Sequence, residues 1–489
     1  MLNKWKQTIS KFVCFVLTCQ LFILTVWAKP DWPSDTGIMA EAGIVMDMDS
    51  GAILYGQNIH LTYPPASITK ILTALIVLEN CNLDDTVTFS TTAVNQVEAD
   101  SGNKISVVAG DQLSVEDCLY SMLLVSCNQA ANALAEHTAG SISAFVNMMN
   151  EKLAQLGCQE SHFENPSGLN GDNQYVSAYD MALIAQAAYD NETLVEISSA
   201  TTHKIAPTTQ NPDGFTIRGE HRLCVTEDSS SPYYYPEAVA GKTGYLIKAG
   251  NTLVTYAVKD NRRLISVILK GQPRQYFVDG KALLEFGFRS FQDYTVADYE
   301  SRYVTGNETI NLDKGSFQAS DLMIDPDSVI TLPNSASFED ADITLGALPE
   351  ISPDNAVALL TYSYNDRTIG TAYLLAKDGV TIDGNDSAAE AATTAFDTAN
   401  AEAPLATASN AEKPQRPHKH ISVAGVLITI LIVLLVLGVI GLISWFIYSK
   451  KKEAKALAKR RERRRQRLQR SGDEEEFERL LAEYKNKKK

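Results

Sequence analysis

The chain of 489 residues predicts an α+β fold, with one antiparallel sheet carrying helices on both faces. Three observations predict it. Two short strands lie within residues 41–60 around Asp49-Ser-Gly51, a hairpin signal. Helical stretches follow at 67–80, 113–138, 141–157 and 177–195. Three further strands then fall at 238–247, 252–259 and 263–270, and a helix at 277–289 closes the unit.

In chain order, the first segment is residues 1–28. Lys4, Lys6 and Lys11 precede an apolar run from Phe12 to Trp27, and Ala28 follows, which is the pattern of a secretory signal. An uncleaved anchor is the rival reading. The helix from 67 starts after Pro64-Pro65, which cannot sit inside one. Its continuation Ile71–Leu78 is apolar on nearly every side, so the helix is expected to be buried. Ser126 precedes Gln-Ala-Ala-Asn-Ala-Leu-Ala-Glu, a strong helix former. From 292 to 383 the pattern changes to short alternating runs, Ser328–Leu332, Val357–Tyr362 and Ile369–Leu375, between Asp/Asn/Gly/Pro turns. This reads as a small all-β domain, a spacer or partner platform.

Residues 384–420 are rich in Ala, Thr, Ser, Asn and Pro, the composition of a disordered linker. Residues 421–448 carry no charge, are long enough to cross a bilayer, and end with Trp445 and Tyr448. Lys450-Lys-Lys452, Lys459-Arg-Arg461 and Arg463-Arg-Arg465 follow directly, so the 449–489 tail is expected to face the cytoplasm. The reading is a membrane protein with one C-terminal span and its bulk outside the cell.

The formal net charge is −16, and both ends are basic, so the part between them is more acidic still. That argues against a nucleic-acid partner. Of seven cysteines, Cys14 and Cys19 lie in the leader. Cys81, Cys118, Cys127, Cys158 and Cys224 are odd in number and scattered, which is no disulfide framework. No Cys or His spacing suggests a metal, and no cofactor is implied.

Three motifs in fixed order carry the chemistry: Ser67-Ile-Thr-Lys70, Ser126-Cys-Asn128 and Lys242-Thr-Gly244. Ser67 and Lys70, three apart, share a helix face, so the amine can take the hydroxyl proton if it is neutral. A free lysine has a pKa of about 10.4, and burial or a second cation such as Lys242 would lower it. Each motif alone is weak. Ser101-Gly-Asn-Lys104, Ser449-Lys-Lys-Lys452 and Ser363-Tyr-Asn365 are decoys, rejected for their surroundings.

The stretches "PPASITKILTAL", "MLLVSCNQAANALAEHTAGS", "FENPSGLNGDNQYVSAYDMALIA" and "VAGKTGYLIKAGNTLV" resemble low-molecular-weight, penicillin-binding serine D-alanyl-D-alanine carboxypeptidases. The likeness is dense over residues 36–290 and looser to about 383. It implies a β-lactamase/transpeptidase-like catalytic domain acting on peptidoglycan stem peptides ending in D-Ala-D-Ala, with β-lactams as acylating inhibitors. Ser67 would form the acyl-enzyme, Lys70 would activate it and Ser126 would relay protons. Asn128 would hold the substrate amide, Lys242 would supply electrostatic stabilisation and Thr243 would bind the terminal carboxylate. Gly244 would let substrate backbone approach the strand edge. The amides of Ser67 and Tyr245 would form the oxyanion hole. Arg274 is the candidate second carboxylate ligand, with a plain surface arginine as the alternative. Gln129 stands where the family usually has Asp, Ser167 where many members have His, and Cys127 fills the small middle position. Relatives often attach through a C-terminal amphipathic helix rather than a full span. The competing functions are a β-lactamase, for which Glu164 lacks the Glu-x-x-Leu-Asn spacing, and a non-catalytic membrane β-lactam sensor.

Overall fold

The computed structural model describes residues 29–34, 37–98, 101–349 and 351–382. The proposed leader, linker, membrane span and basic tail lie outside the described residues. Among the described residues, no helix is long and apolar enough to cross a membrane.

Five strands form the main sheet: β1 (Ala42–Asp47), β2 (Ile53–Gln57), β3 (Ala238–Leu246), β4 (Gly250–Lys259) and β5 (Arg262–Gly271). The spatial order is β2-β1-β5-β4-β3, every pair antiparallel. The central strand β5 is buried from Leu264 to Leu269 because both sheet faces are covered, and it reads as a continuous apolar run. Asp260 and Asn261 turn β4 into β5 at φ 51° and 65°, values that their short polar side chains tolerate. Strand β3 ends the sheet, so one of its edges is left without a strand partner.

Helix α1 (Lys70–Asn80) is buried from Lys70 to Val77, as its all-round apolar sequence requires. It packs with α2 (Val115–Leu124), α3 (Asn128–Ala139), α4 (Ile142–Gln155) and α5 (Ala178–Tyr189) on one sheet face. Helix α6 (Gln275–Ser290) covers the other, over a core that includes Leu253, Ile268 and Leu284.

The boundaries differ from expectation where polar geometry interrupts a good helical pattern. The expected helix at 113–138 is two helices. Between them Ser126 adopts φ 62°, and Cys127 is extended. The expected helix at 177–195 also stops, at Tyr189, and Asn191 caps a new one (Glu192–Ser199) through Leu194 N–H. Ser67 lies not in the first α-helical turn but in a 3₁₀ turn, Ala66–Thr69, that precedes α1.

Beyond α6, β6 (Phe291–Thr295) pairs with β8 (Val329–Pro333). Then β7 (Leu322–Ile324), β11 (Arg367–Ala376), β10 (Ala356–Tyr364) and β9 (Asp342–Gly346) form a second antiparallel sheet in that order. Its separate core holds Leu322, Ile330, Leu360, Tyr362 and Leu374. Arg262, at the start of β5, bridges Asp47 and Asp293, and Ser50 meets Thr331 at 2.7 Å. These polar contacts tie the β-rich part to the rear end of the main sheet, away from the Gly244 end that meets the nucleophile turn.

Candidate active site

The 3₁₀ turn that presents Ser67 is held from three directions. Thr252 Oγ1 on β4 donates to Pro65 O (2.9 Å), Thr69 Oγ1 donates to Ala66 O (2.9 Å), and Thr73 Oγ1 donates to Pro166 O (2.7 Å). Ala66 itself sits at φ 52°, a conformation that costs a non-glycine residue energy and persists only where neighbours enforce it.

Lys70 Nζ is fully buried and has three oxygen partners: Ser67 Oγ (3.0 Å), Asn128 Oδ1 (2.7 Å) and Ser167 O (2.5 Å). None is a carboxylate. Two are carbonyl oxygens, which only accept; the hydroxyl of Ser67 can also donate. As an ammonium, Nζ donates to all three. As a neutral amine, it donates to the two carbonyls and turns its lone pair to the Ser67 O–H. The surroundings favour the neutral form. Burial holds the Lys70 pKa well below the ordinary lysine value, and the nearby Lys242 charge lowers it further.

Lys242 lies on β3, 1% exposed, and donates to Thr243 O (2.8 Å). Burial pushes its pKa down to about 8; Glu220 opposes that shift and Lys104 adds to it. Lys104 pairs with Glu220 at 3.2 Å, so the rejected decoy at 101–104 does reach this neighbourhood as a charge. Gln129 Nε2 donates to Gly102 O (3.1 Å) and so docks that loop against the second motif. This is a structural use for the residue that departs from the family's Asp.

Asn128 opens α3, and its Oδ1 is spent on Lys70. Ser126 lies at the break before it and makes no hydrogen bond to Lys70 or Ser67 among the described residues. Cys127 is buried, its thiol pushed up to about 11 by that burial, which suits an inert filler. All five described cysteines are free.

Gly244 also has a packing job that the sequence did not show. A Cβ there would lie 2.4 Å from Thr252 Oγ1, 2.8 Å from Ser67 N and 3.1 Å from Ala66 Cβ. The missing side chain lets β3 close on the nucleophile turn itself, and strand alternation explains why. Lys242 pairs with Val254, whose core faces α1, so Gly244 faces the same way. Thr243 pairs with Leu253 on the α6 face, and Tyr245, 62% exposed, shares that face. Arg274 precedes α6 at φ 62° and is exposed, with no ion pair among the described residues. Gly271 pairs with Asn251, and Asn251 with Tyr245, so the chain reaches Arg274 from the Tyr245 end of the sheet.

The sequence reading missed the loop that completes the lysine's shell. Asn165 Oδ1 accepts from Ser167 N–H, Ser167 O–H and Gly168 N–H (3.3, 3.1 and 2.8 Å), which aims the Ser167 carbonyl at Lys70. Asn165-Pro-Ser-Gly168 carried a turn signature, yet a backbone carbonyl leaves no mark on residue identity. Gly168, at φ 80°, would place a Cβ 1.9 Å from Ala66 O. Gly168→Ala is therefore expected to push the nucleophile turn out of place. The expected cost is about 2–3 kcal/mol of stability, with slowed penicillin acylation. A thermal melt and a fluorescent-penicillin time course, both unchanged, would reject this.

Comparison with known proteins agrees with the geometry. The D-alanyl-D-alanine carboxypeptidase family model matches residues 29–272. D-alanyl-D-alanine carboxypeptidase DacB2 of Mycobacterium tuberculosis is 34% identical over 265 residues, covering 53% of this chain and 84% of its own. DacA of Haemophilus influenzae is 30% identical over 357 residues, 69% of this chain and 84% of its own. The structure of penicillin binding protein 5 from Haemophilus influenzae matches with a TM-score of 0.54 at 25% identity, covering 70% of this chain and 98% of that one. With its three motifs gathered around one buried lysine, the chain belongs to the D-alanyl-D-alanine carboxypeptidase family.

Proposed function

We propose that this protein removes the terminal D-alanine from peptidoglycan stem peptides through a Ser67 acyl-enzyme. One observation carries the reading: Lys70 is buried among neutral oxygens, with Ser67 as its sole partner able to give up a proton among the described residues.

In the first half-reaction Lys70 takes the Ser67 proton as Oγ attacks the carbonyl carbon of the penultimate D-alanine. The oxyanion sits against the amides of Ser67 and Tyr245, placed close together by the glycine at 244. The C–N bond then breaks, and the leaving amine takes the proton, relayed from Lys70 through Ser126. In the second half-reaction water attacks the ester, gives its proton to Lys70, and Ser67 Oγ leaves as the hydroxyl. Asn128, with Oδ1 turned to Lys70, offers Nδ2 to a substrate carbonyl. Thr243 and Arg274 receive the terminal carboxylate, and the Lys242 charge supplies electrostatic stabilisation. A β-lactam enters the same cycle because its amide mimics the scissile bond.

The β-lactamase reading lacks support. Glu164 is committed locally, its Oε2 accepting from Asn173 N–H (3.1 Å), and no carboxylate bonds to Ser67 or Lys70 among the described residues. For location, we place the catalytic part outside the cell, tethered by residues 421–448 with the basic tail in the cytoplasm. The uncharged run and the Lys/Arg clusters right after it support that topology.

The test is D-alanine release from a bis-D-alanyl peptide, run beside intact mass after penicillin exposure. The parent protein is expected to release D-alanine and to gain one penicilloyl mass that the peptide slows. Ser67→Ala should do neither; equal rates in the two proteins would reject the assignment.

A further inference from the structure

Two buried lysines share the site, and the mechanism needs Lys70 neutral and Lys242 charged. Each cation disfavours the other across a desolvated gap. Their own contacts do not assign the charge correctly. Lys70 has three oxygen partners, whereas Lys242 has Thr243 O (2.8 Å) and no ion pair among the described residues. By contacts alone, Lys70 would hold a proton better. A charge further out must decide where the proton stays.

Glu220 is placed to do so. Its backbone N–H donates to Leu124 O (3.2 Å), two residues before Ser126. Its Oε1 pairs with Lys104 Nζ at 3.2 Å. Lys104 belongs to the loop that Gln129 holds through Gly102 O (3.1 Å), just past Asn128. The ion pair therefore joins segments docked on either side of Ser126-Cys-Asn128. Both of its charges act on Lys242. Burial favours loss of the Lys242 proton, Glu220 opposes that loss and Lys104 promotes it. The other ionisable groups coupled to Lys242 are Lys70 on α1 and His221, which burial keeps neutral by pushing its pKa down to about 4. Glu220 is the anion of this set.

We propose that Glu220 is a positioning residue that assigns the positive charge of the site to Lys242, and that Lys104 limits its pull by pairing with it. This rests on the Ser67 acyl-enzyme reading and adds to it a surface ion pair that bonds to neither Ser67 nor Lys70. The placement also makes the charge assignment sensitive to salt. The side chains of Glu220 and Lys104 are 44% and 47% exposed, so dissolved ions screen them, while the two buried lysines are screened much less.

The experiment follows penicillin acylation of the full chain against pH, in low and in high salt, for the parent, Glu220→Gln and Lys104→Gln. Glu220→Gln should move the alkaline limb down by about half a pH unit and the acid limb up, narrowing the profile from both sides. Lys104→Gln should move the alkaline limb up by a similar amount, and Lys104→Glu should carry it further. Both shifts should fade in about 1 M salt, where the screening length is about 3 Å. An ion pair that only fastened the loop would act alike in Glu220→Gln and Lys104→Gln, since each breaks the same contact. Limbs that move the same way in these two variants, limbs that do not move, or shifts that survive high salt would overturn the proposal. D-alanine release is measured in parallel. Its absence in the parent would count against the carboxypeptidase reading alone, because the acylation profiles still decide the role of Glu220.

Discussion

Lys70→Ala is expected to slow acylation of Ser67 by penicillin about 10³- to 10⁴-fold, the contribution of a positioned general base. The protein should meanwhile become more stable, not less. Lys70 is fully buried without a carboxylate partner among the described residues, and its depressed pKa is an energetic cost, because folding at neutral pH must release the proton that the unfolded lysine holds. A depressed lysine pKa gives stability that is present above the unfolded value of about 10.4 and is lost as pH falls through the folded value. At pH 7 a Lys70 held neutral has already lost the part of that stability that runs from about 10.4 down to 7, and the substitution removes this loss. The small cavity left by truncation offsets part of the gain, so Lys70→Met, closer in volume, should show the larger rise in melting temperature. Stopped-flow acylation and a thermal melt read the two effects together. Acylation within tenfold of the parent would mean that another group takes the serine proton.

The second large effect is on pH dependence. The mechanism needs Lys70 neutral and Lys242 charged, and the fold separates them in the right order. Burial and the Lys242 charge hold Lys70 low, while Lys242 itself titrates at about 8 with Glu220 supporting its proton. The profile of kcat/KM should therefore be bell-shaped. Its acid limb reports loss of the Lys70 proton, and its alkaline limb, near pH 8, reports loss of the Lys242 proton and of carboxylate binding. Lys242→Gln should lower kcat/KM about 10²-fold, abolish the limb near 8, and move the acid limb up because Lys70 no longer faces a second cation. The limbs of a coupled pair belong to the pair, so both should shift in the one variant. An alkaline limb unchanged in Lys242→Gln would sink this account. Lys242 is also buried, so Lys242→Met should stabilise the fold at pH 7 by up to about 3 kcal/mol.

These two lysines also show what could be read from the chain alone. The order Ser67-x-x-Lys70, Ser126-Cys-Asn128, Lys242-Thr-Gly244 pointed to an acyl-transferring serine because nucleophile and base lie one helical turn apart, a local relation that sequence spacing sets. The five strands of the main sheet and the helix after them were legible for the same reason: period-2 and period-3.6 patterns are written residue by residue. The break at Ser126 was not, since strong helix formers flank it on both sides, and the turn there leaves Asn128 bonded to Lys70. The 3₁₀ turn at Ser67 and the strained Ala66 are likewise imposed from outside, by Thr252 on β4 and by Gly168.

Sequence by itself determined the chemistry and the set of elements, because side-chain identity and local periodicity are properties of the chain. Tertiary structure alone decided the charge state of Lys70, the partnership of the Ser167 carbonyl and the packing task of Gly244. Each of those depends on desolvation or on a backbone atom brought in from far along the chain. Neither a buried environment nor a carbonyl oxygen is spelled by any letter of the sequence.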